Sequence, residues 1–103
     1  MTDEQLLASF AAGDTAALGA LAERHERALL GFARGVLGGE DLARDAVQDA
    51  WVRVIKHAGS FKGRSTFKTW MYRIVINRCN EIKGKGRRRL AALPMDAGEP
   101  AAP

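Results

Sequence analysis

Residues 41–56 read D-L-A-R-D-A-V-Q-D-A-W-V-R-V-I-K and residues 67–77 read F-K-T-W-M-Y-R-I-V-I-N. Neither stretch alternates apolar with polar residues as a half-buried strand would. In both, the apolar positions advance in steps of three and four, so each predicts a helix. In the first, Asp41 is placed to cap a helix running from Leu42 to about His57. Its apolar arc, formed by Leu42, Ala46, Val47, Ala50, Trp51, Val54 and Ile55, is wider than a single core-facing stripe, so one side is expected to meet something besides its own core. In the second, Ser65 or Thr66 can cap a helix carrying Phe67, Trp70, Met71, Ile74 and Val75 at helical spacing, with Gly84 and Gly86 to end it.

Outward from these two, Thr2-x-x-Gln5 has the form of a capping box and opens a short helix of about ten residues with Leu6, Leu7 and Phe10, stopping at Gly13. Asp14 can cap a longer helix with Leu18, Leu21, His25, Leu29, Phe32 and Val36 on one stripe, ending at Gly38-Gly39. Four helical patterns and no strand pattern give an all-α fold, a compact bundle of about four helices over residues 1–90. Residues 91–103, A-A-L-P-M-D-A-G-E-P-A-A-P, are rich in Ala and Pro without an amphipathic period and read as the start of a linker.

The 103 residues allow one domain with a thin core and exclude the large enzyme folds. No apolar run approaches the ~20 residues that span a bilayer, and the polar opening Met1-Thr2-Asp3-Glu4-Gln5 is unlike a secretion signal, so no membrane insertion is expected. Cys79 has no cysteine to pair with and no Cys/His neighbourhood for zinc, and no metal or cofactor is expected. Charge is divided unevenly. Residues 1–50 hold four Arg against nine Asp and Glu, whereas residues 51–103 hold twelve Lys and Arg against three acids. The basic half suits a phosphate backbone and the acidic half would be repelled by one, so the two halves are expected to face different partners.

Asp45, Gln48 and Asp49 fall on one helical face beside Trp51 and Val52. Such a patch is either solvated or a contact for a basic partner helix, for which an exposed Trp among carboxylates and an amide would be suited. The loop A-G-S-F-K-G-R-S from Ala58 to Ser65 leads into the helix where Lys68, Arg73, Asn77 and Arg78 interleave with aromatic rings. Rings that stack on bases beside cations that hold phosphates compose a single-strand platform, although Phe67, Trp70 and Ile74 are equally suited to a core. Lys83, Lys85 and Arg87-Arg88-Arg89 extend the basic face. His25, alone on an apolar stripe, reads as a hydrogen-bonded structural residue.

The order of these pieces resembles region two of a bacterial sigma factor of the extracytoplasmic function class, over about residues 4–89. The D-x-x-Q-D step at Asp45, Gln48 and Asp49 and the F-x-T-W-x-Y-R-I-x-x-N string from Phe67 to Asn77 carry the resemblance. It implies a cytoplasmic transcription initiation domain without enzymatic activity. The helix over residues 42–57 would dock on the beta-prime clamp helices of core RNA polymerase through Asp45, Gln48, Asp49 and Ile55, flanked by Trp51 and Arg53. The loop and last helix would read the promoter minus-ten element by capturing a flipped base of the non-template single strand, with Phe61, Ser65, Phe67, Ile74 and Asn77 around the base. Lys62, Arg64, Lys68, Arg73 and Arg78 are suited to phosphates, and Trp70 completes the aromatic set. An anti-sigma factor covering the same surfaces is implied as a further partner.

The chain departs from primary sigma factors, which carry adjacent Trp residues where Arg73 and Ile74 stand, and from many relatives in having Glu81. A complete member would add a helix-turn-helix region for the minus-thirty-five element, which does not follow Pro103. Two other readings compete. A generic basic helical DNA-binding module would need no acidic face, and its binding would follow salt alone. A nuclease would need clustered carboxylates near the basic face, where Glu81 is the only acid among residues 51–90.

Overall fold

The computed structural model describes residues 1–84. Four helices follow in order: α1 (Asp3–Ala11), α2 (Ala16–Leu37), α3 (Glu40–His57) and α4 (Phe67–Lys83), with a 3-10 turn at Ala58–Ser60 between the last two. Among the described residues there is no strand, in agreement with the all-α expectation. The Gly86 stop, the basic run from Lys85 to Arg89 and the linker assigned to residues 91–103 lie outside the described residues.

The helix ends follow from local chemistry. Thr2 Oγ1 accepts the Gln5 N–H at 3.0 Å and Gln5 Oε1 accepts the Thr2 N–H at 2.8 Å, a reciprocal capping box that fixes the start of α1. Asp14 Oδ1 accepts the Ala16 N–H at 3.1 Å and so serves the first turn of α2. Gly38 ends α2 in the left-handed conformation, φ 78°, which a residue with a Cβ adopts only at a cost. Helix α3 begins two residues earlier than its sequence indicated. Gly39 occupies the cap position without a side chain to bond, so Asp41 is inside the first turn, where with Glu40 it acts by charge on the helix dipole instead of by capping. Thr66, and not Ser65, caps α4, its hydroxyl accepting the Thr69 N–H at 3.1 Å.

The core is built around α4. Phe67, Trp70, Met71, Ile74, Val75 and Cys79 are buried against Leu21, Leu29 and Ala33 of α2 and Ala43, Ala46, Val47, Ala50 and Val54 of α3. Alanines at the facing positions let large rings enter; Trp70 and Phe67 are fully buried, with ring centroids 6.1 Å apart. Each fully buried Leu or Phe contributes roughly 1.5–3 kcal/mol, so the chain's margin rests on a few such residues. His25 takes the structural role expected of it, its ring 5.6 Å from Phe67 and its Nε2 2.9 Å from Asp3 Oδ2.

Candidate functional site

The outer face of α3 carries a stripe at steps of three and four: Asp45, Gln48, Val52 and Ile55, all exposed, with Leu42 toward the start of the helix. Leu42, Val52 and Ile55 keep 45%, 45% and 48% of their surface, which is high for large apolar side chains. The over-wide apolar arc therefore divides, with Ala46, Val47, Ala50 and Val54 going to the core and Leu42 and Ile55 remaining outside.

Asp49, expected on that face, and Trp51 and Arg53, expected to flank it, take part in the bundle's own seams. Trp51 is half-buried, not exposed, and its Nε1–H donates to Glu26 Oε1 at 2.8 Å across the α2–α3 contact. Arg53 Nη2 donates to Glu81 Oε1 at 2.9 Å. Asp49 Oδ2 accepts from Arg78 Nε at 2.8 Å, and Arg78 Nη1 donates to Glu81 at 3.1 Å. Asp49, Arg78, Glu81 and Arg53 thus form one network joining α3 to α4. Burial opposes the charge on Arg78, but its hydrogen bonds to Glu81 and Asp49 outweigh that and raise its pKa. Arg78, expected on the DNA face, thus stands in the helix seam bonded to two carboxylates, which compete with a phosphate for it.

On the other side, Lys62, Arg64, Lys68 and Arg73 are exposed on the 61–66 loop and the outer face of α4. Phe61 is half-buried, its ring centroid 4.9 Å from that of Trp70, and Ser65 Oγ donates to the Thr66 carbonyl at 3.2 Å. Phe67, Trp70 and Ile74 are fully buried and Asn77 keeps 2% of its surface, so in this conformation all four are core residues. The aromatic part of the expected platform is therefore reduced to Phe61. Two buried polar atoms of α4, Trp70 Nε1 and Asn77 Oδ1, have no hydrogen-bond partner.

Two open cavities of about 600 Å³ mark the surface, one beside α4 and one between α1 and the 58–63 segment. One, between α2 and α4, is lined by Phe32, Lys68, Thr69, Tyr72, Arg73 and Ile76. In it the Phe32 and Tyr72 rings meet edge to face at 5.3 Å. The other separates Glu4, Leu7 and Ala8 of α1 from Phe61, Lys62 and Gly63 of the loop. Glu4, Glu26 and Glu81 were not singled out from sequence as parts of these arrangements. The i, i+3 spacing of Arg78 and Glu81 was the one available signal, because the other partners are 25 or more residues apart. Among the described residues no three His, Cys, Asp or Glu side chains cluster as a metal site, and no helix is long and apolar enough to cross a membrane.

Residues 21–89 match the sigma-70 region 2 family. Over 87 residues the chain is 33% identical to the RNA polymerase sigma-H factor of Pseudomonas aeruginosa, covering 84% of this chain and 45% of that protein. Over 78 residues it is 40% identical to the ECF RNA polymerase sigma factor SigM of Mycobacterium tuberculosis, covering 76% of this chain and 40% of the relative. The ECF RNA polymerase sigma-E factor of Escherichia coli K12 is 32% identical over 89 residues, 85% of this chain and 46% of the relative. The chain spans less than half the length of these curated relatives.

Proposed function

The chain belongs to the sigma-70 region 2 family, in the branch of the extracytoplasmic function sigma factors, and from that membership we propose that it binds core RNA polymerase and directs transcription initiation at promoter DNA. One observation carries the reading: within the family match, a mixed acidic and apolar stripe and a cationic rim stand on different elements. Asp45, Gln48, Val52 and Ile55 on α3 would meet the beta-prime clamp helices, where an apolar centre supplies affinity and the carboxylate and amide supply orientation. Asp49, Trp51 and Arg53 contribute by holding α3 in place through Arg78, Glu26 and Glu81.

The DNA side would take the non-template single strand of the minus-ten element. Lys62, Arg64, Lys68 and Arg73 hold phosphates, and Phe61 offers the accessible ring for stacking. Extruding a base costs a few kcal/mol, which has to be offset by contacts made only with the open strand. Asn77 supports this step in a specific way. Leaving its buried Oδ1 unpaired costs about 1–3 kcal/mol, and a base edge that reached it would remove that cost. Because Asn77, Phe67, Trp70 and Ile74 are buried, capture requires their cover to open, and at Trp70 that cover includes the Phe61 ring of the loop. The domain performs no covalent chemistry in this reading, works in the cytoplasm with the polymerase, and presents the α3 stripe to an anti-sigma factor as well.

Binding of the chain to core RNA polymerase, with Gln48→Ala and Asp45→Lys compared against it, tests the reading. Loss of binding in both variants is expected. A folded wild-type chain that binds single-stranded DNA but not polymerase would overturn it in favour of a generic basic DNA-binding module.

A further inference from the structure

Helix α1 lies outside the residues that match the family, yet besides packing Leu6 and Leu7 into the core it bonds the start of α4 through one of its side chains. Glu4 Oε2 accepts the Phe67 N–H at 2.6 Å, a part-buried bond between residues 63 positions apart. Phe67 is the first residue of α4, and the leading N–H groups of a helix have no partner within it. Thr66 takes one of them, from Thr69, and Glu4 takes another, with its negative charge favoured by the helix dipole. The neighbouring Asp3 accepts from Arg24 Nη1 at 2.9 Å and stands 2.9 Å from His25 Nε2, so the turn that carries Glu4 is itself fastened to α2. Glu4 also lines the cavity whose far wall is Phe61, Lys62 and Gly63. The 61–66 loop therefore runs between a 3-10 turn and a residue fixed from α1, with Gly63 at φ 73° making its bend.

We propose that Glu4 is a positioning residue for the 61–66 loop: its bond to the Phe67 N–H sets the loop's end, and through it the stance of Phe61, and so governs base discrimination more than strand affinity. The proposal rests on the reading of this loop as a single-strand contact. Its selectivity follows from the reach of the groups involved. Long cationic side chains follow a phosphate that moves by an ångström, whereas stacking and base-edge hydrogen bonds depend on short, directed contacts. Removing Glu4 also takes a negative charge away from the cavity that it shares with Lys62, which would favour phosphates of any sequence.

The test begins by selecting a preferred oligonucleotide from random single-stranded DNA with the wild-type chain. Dissociation constants for that strand and a scrambled one then give a discrimination ratio for wild type, Glu4→Ala, Glu4→Gln and Asp3→Asn. Glu4→Ala is expected to lose about tenfold in the ratio, the size of one charge-assisted hydrogen bond, while binding the scrambled strand as well as wild type or better. Glu4→Gln keeps an acceptor oxygen and is expected to restore most of the ratio, and Asp3→Asn, which loosens the fastening of α1 to α2 but keeps the Glu4 bond, to lower it far less than Glu4→Ala. A wild-type ratio in Glu4→Ala would overturn the proposal, as would equal losses in Glu4→Ala and Asp3→Asn, which would make α1 a general support. Should Glu4→Ala fail to fold, Glu4→Asp decides, since its carboxylate is one methylene short: a severalfold lower ratio is expected and an unchanged one overturns the proposal. A wild-type chain that prefers no strand would instead refute the reading of the loop itself.

Discussion

Arg78 Nε donates to Asp49 Oδ2 at 2.8 Å across the contact of α4 with α3, and the same guanidinium reaches Glu81 on its own helix. The pairing neutralises one cation of the basic half and one acid of the acidic half, whereas Lys62, Arg64, Lys68, Arg73 and Lys83 of the loop and α4 are exposed. Stability and DNA binding should separate accordingly. Arg78→Ala is expected to lower unfolding stability by about 1 kcal/mol, a modest figure because the Asp49 side chain is 45% exposed and solvent screens the pair. Lys68→Ala should leave stability unchanged but lower the slope of log affinity against log salt by about one. Urea denaturation and a salt titration of oligonucleotide binding check the two; a larger salt slope change in Arg78→Ala would return that residue to the DNA face.

The exposed apolar residues of α3 make a second separation. Val52 and Ile55 keep 45% and 48% of their surface, so Val52→Asp and Ile55→Asp remove little from the core and should change stability within about 0.5 kcal/mol. Placed at the centre of a polymerase contact, each new charge would be desolvated without a partner and should weaken binding by tenfold or more. Calorimetry against the isolated clamp helices, with thermal melts in parallel, reads both. Unaltered affinity in the two variants would move the contact off this stripe.

The helices were legible in the sequence because their ends are local events. Thr2 with Gln5, Gly38 and Thr66 each act within a few residues and do what their spacing indicates, while Asp14 serves the first turn of α2 from one residue before the cap position, which Thr15 holds. Where a side chain could choose among distant partners, the pattern carried no instruction. Trp51 and Glu26, Arg53 and Glu81, and Glu4 and Phe67 meet only after the helices pack. Periodicity likewise gave the apolar arc of α3 but not its division, because only the packed neighbours decide that Ala46, Val47, Ala50 and Val54 enter the core while Leu42 and Ile55 stay outside. The aromatic string of α4 shows the same limit: Phe67 and Trp70 suit a stacking surface as well as a core, and packing against small residues of α2 and α3 decided for the core.

Asp3 should impart an acid limb to the stability curve. Burial opposes its charge, but hydrogen bonds and attraction from Arg24 and His25 prevail and hold its carboxyl below the ordinary Asp range. A depressed folded pKa means that the unfolded chain takes up the proton first as pH falls. The contribution is therefore complete above the ordinary Asp range and is lost as pH falls through the folded value. Urea midpoints measured from pH 7 to pH 3 should decline less steeply for Asp3→Asn than for wild type, with the curves converging at the acid end. Parallel curves would mean that the Asp3 pairs contribute nothing to folding.

Cys79 offers a probe of how the last turns of α4 open. The thiol is fully buried, and burial raises its pKa against the smaller opposing pull of Lys83 and Arg78. Both effects suppress the reactive thiolate, so alkylation at pH 8 should be far slower in the folded chain than in urea. The residue stands four positions before Lys83, where α4 ends, so two routes to exposure compete: fraying of the terminal turn and unfolding of the whole bundle. They differ in the surface they expose. Under global opening the labelling rate should climb with low urea along the full denaturant slope, whereas fraying exposes little surface and leaves the rate nearly flat. Cys79 packs in the same core as Trp70 and Val75 and not at its rim, so the steep dependence is expected. A flat one would place the end of the cooperative bundle before Cys79 and uncouple Glu81, with its two arginines, from the rest of α4.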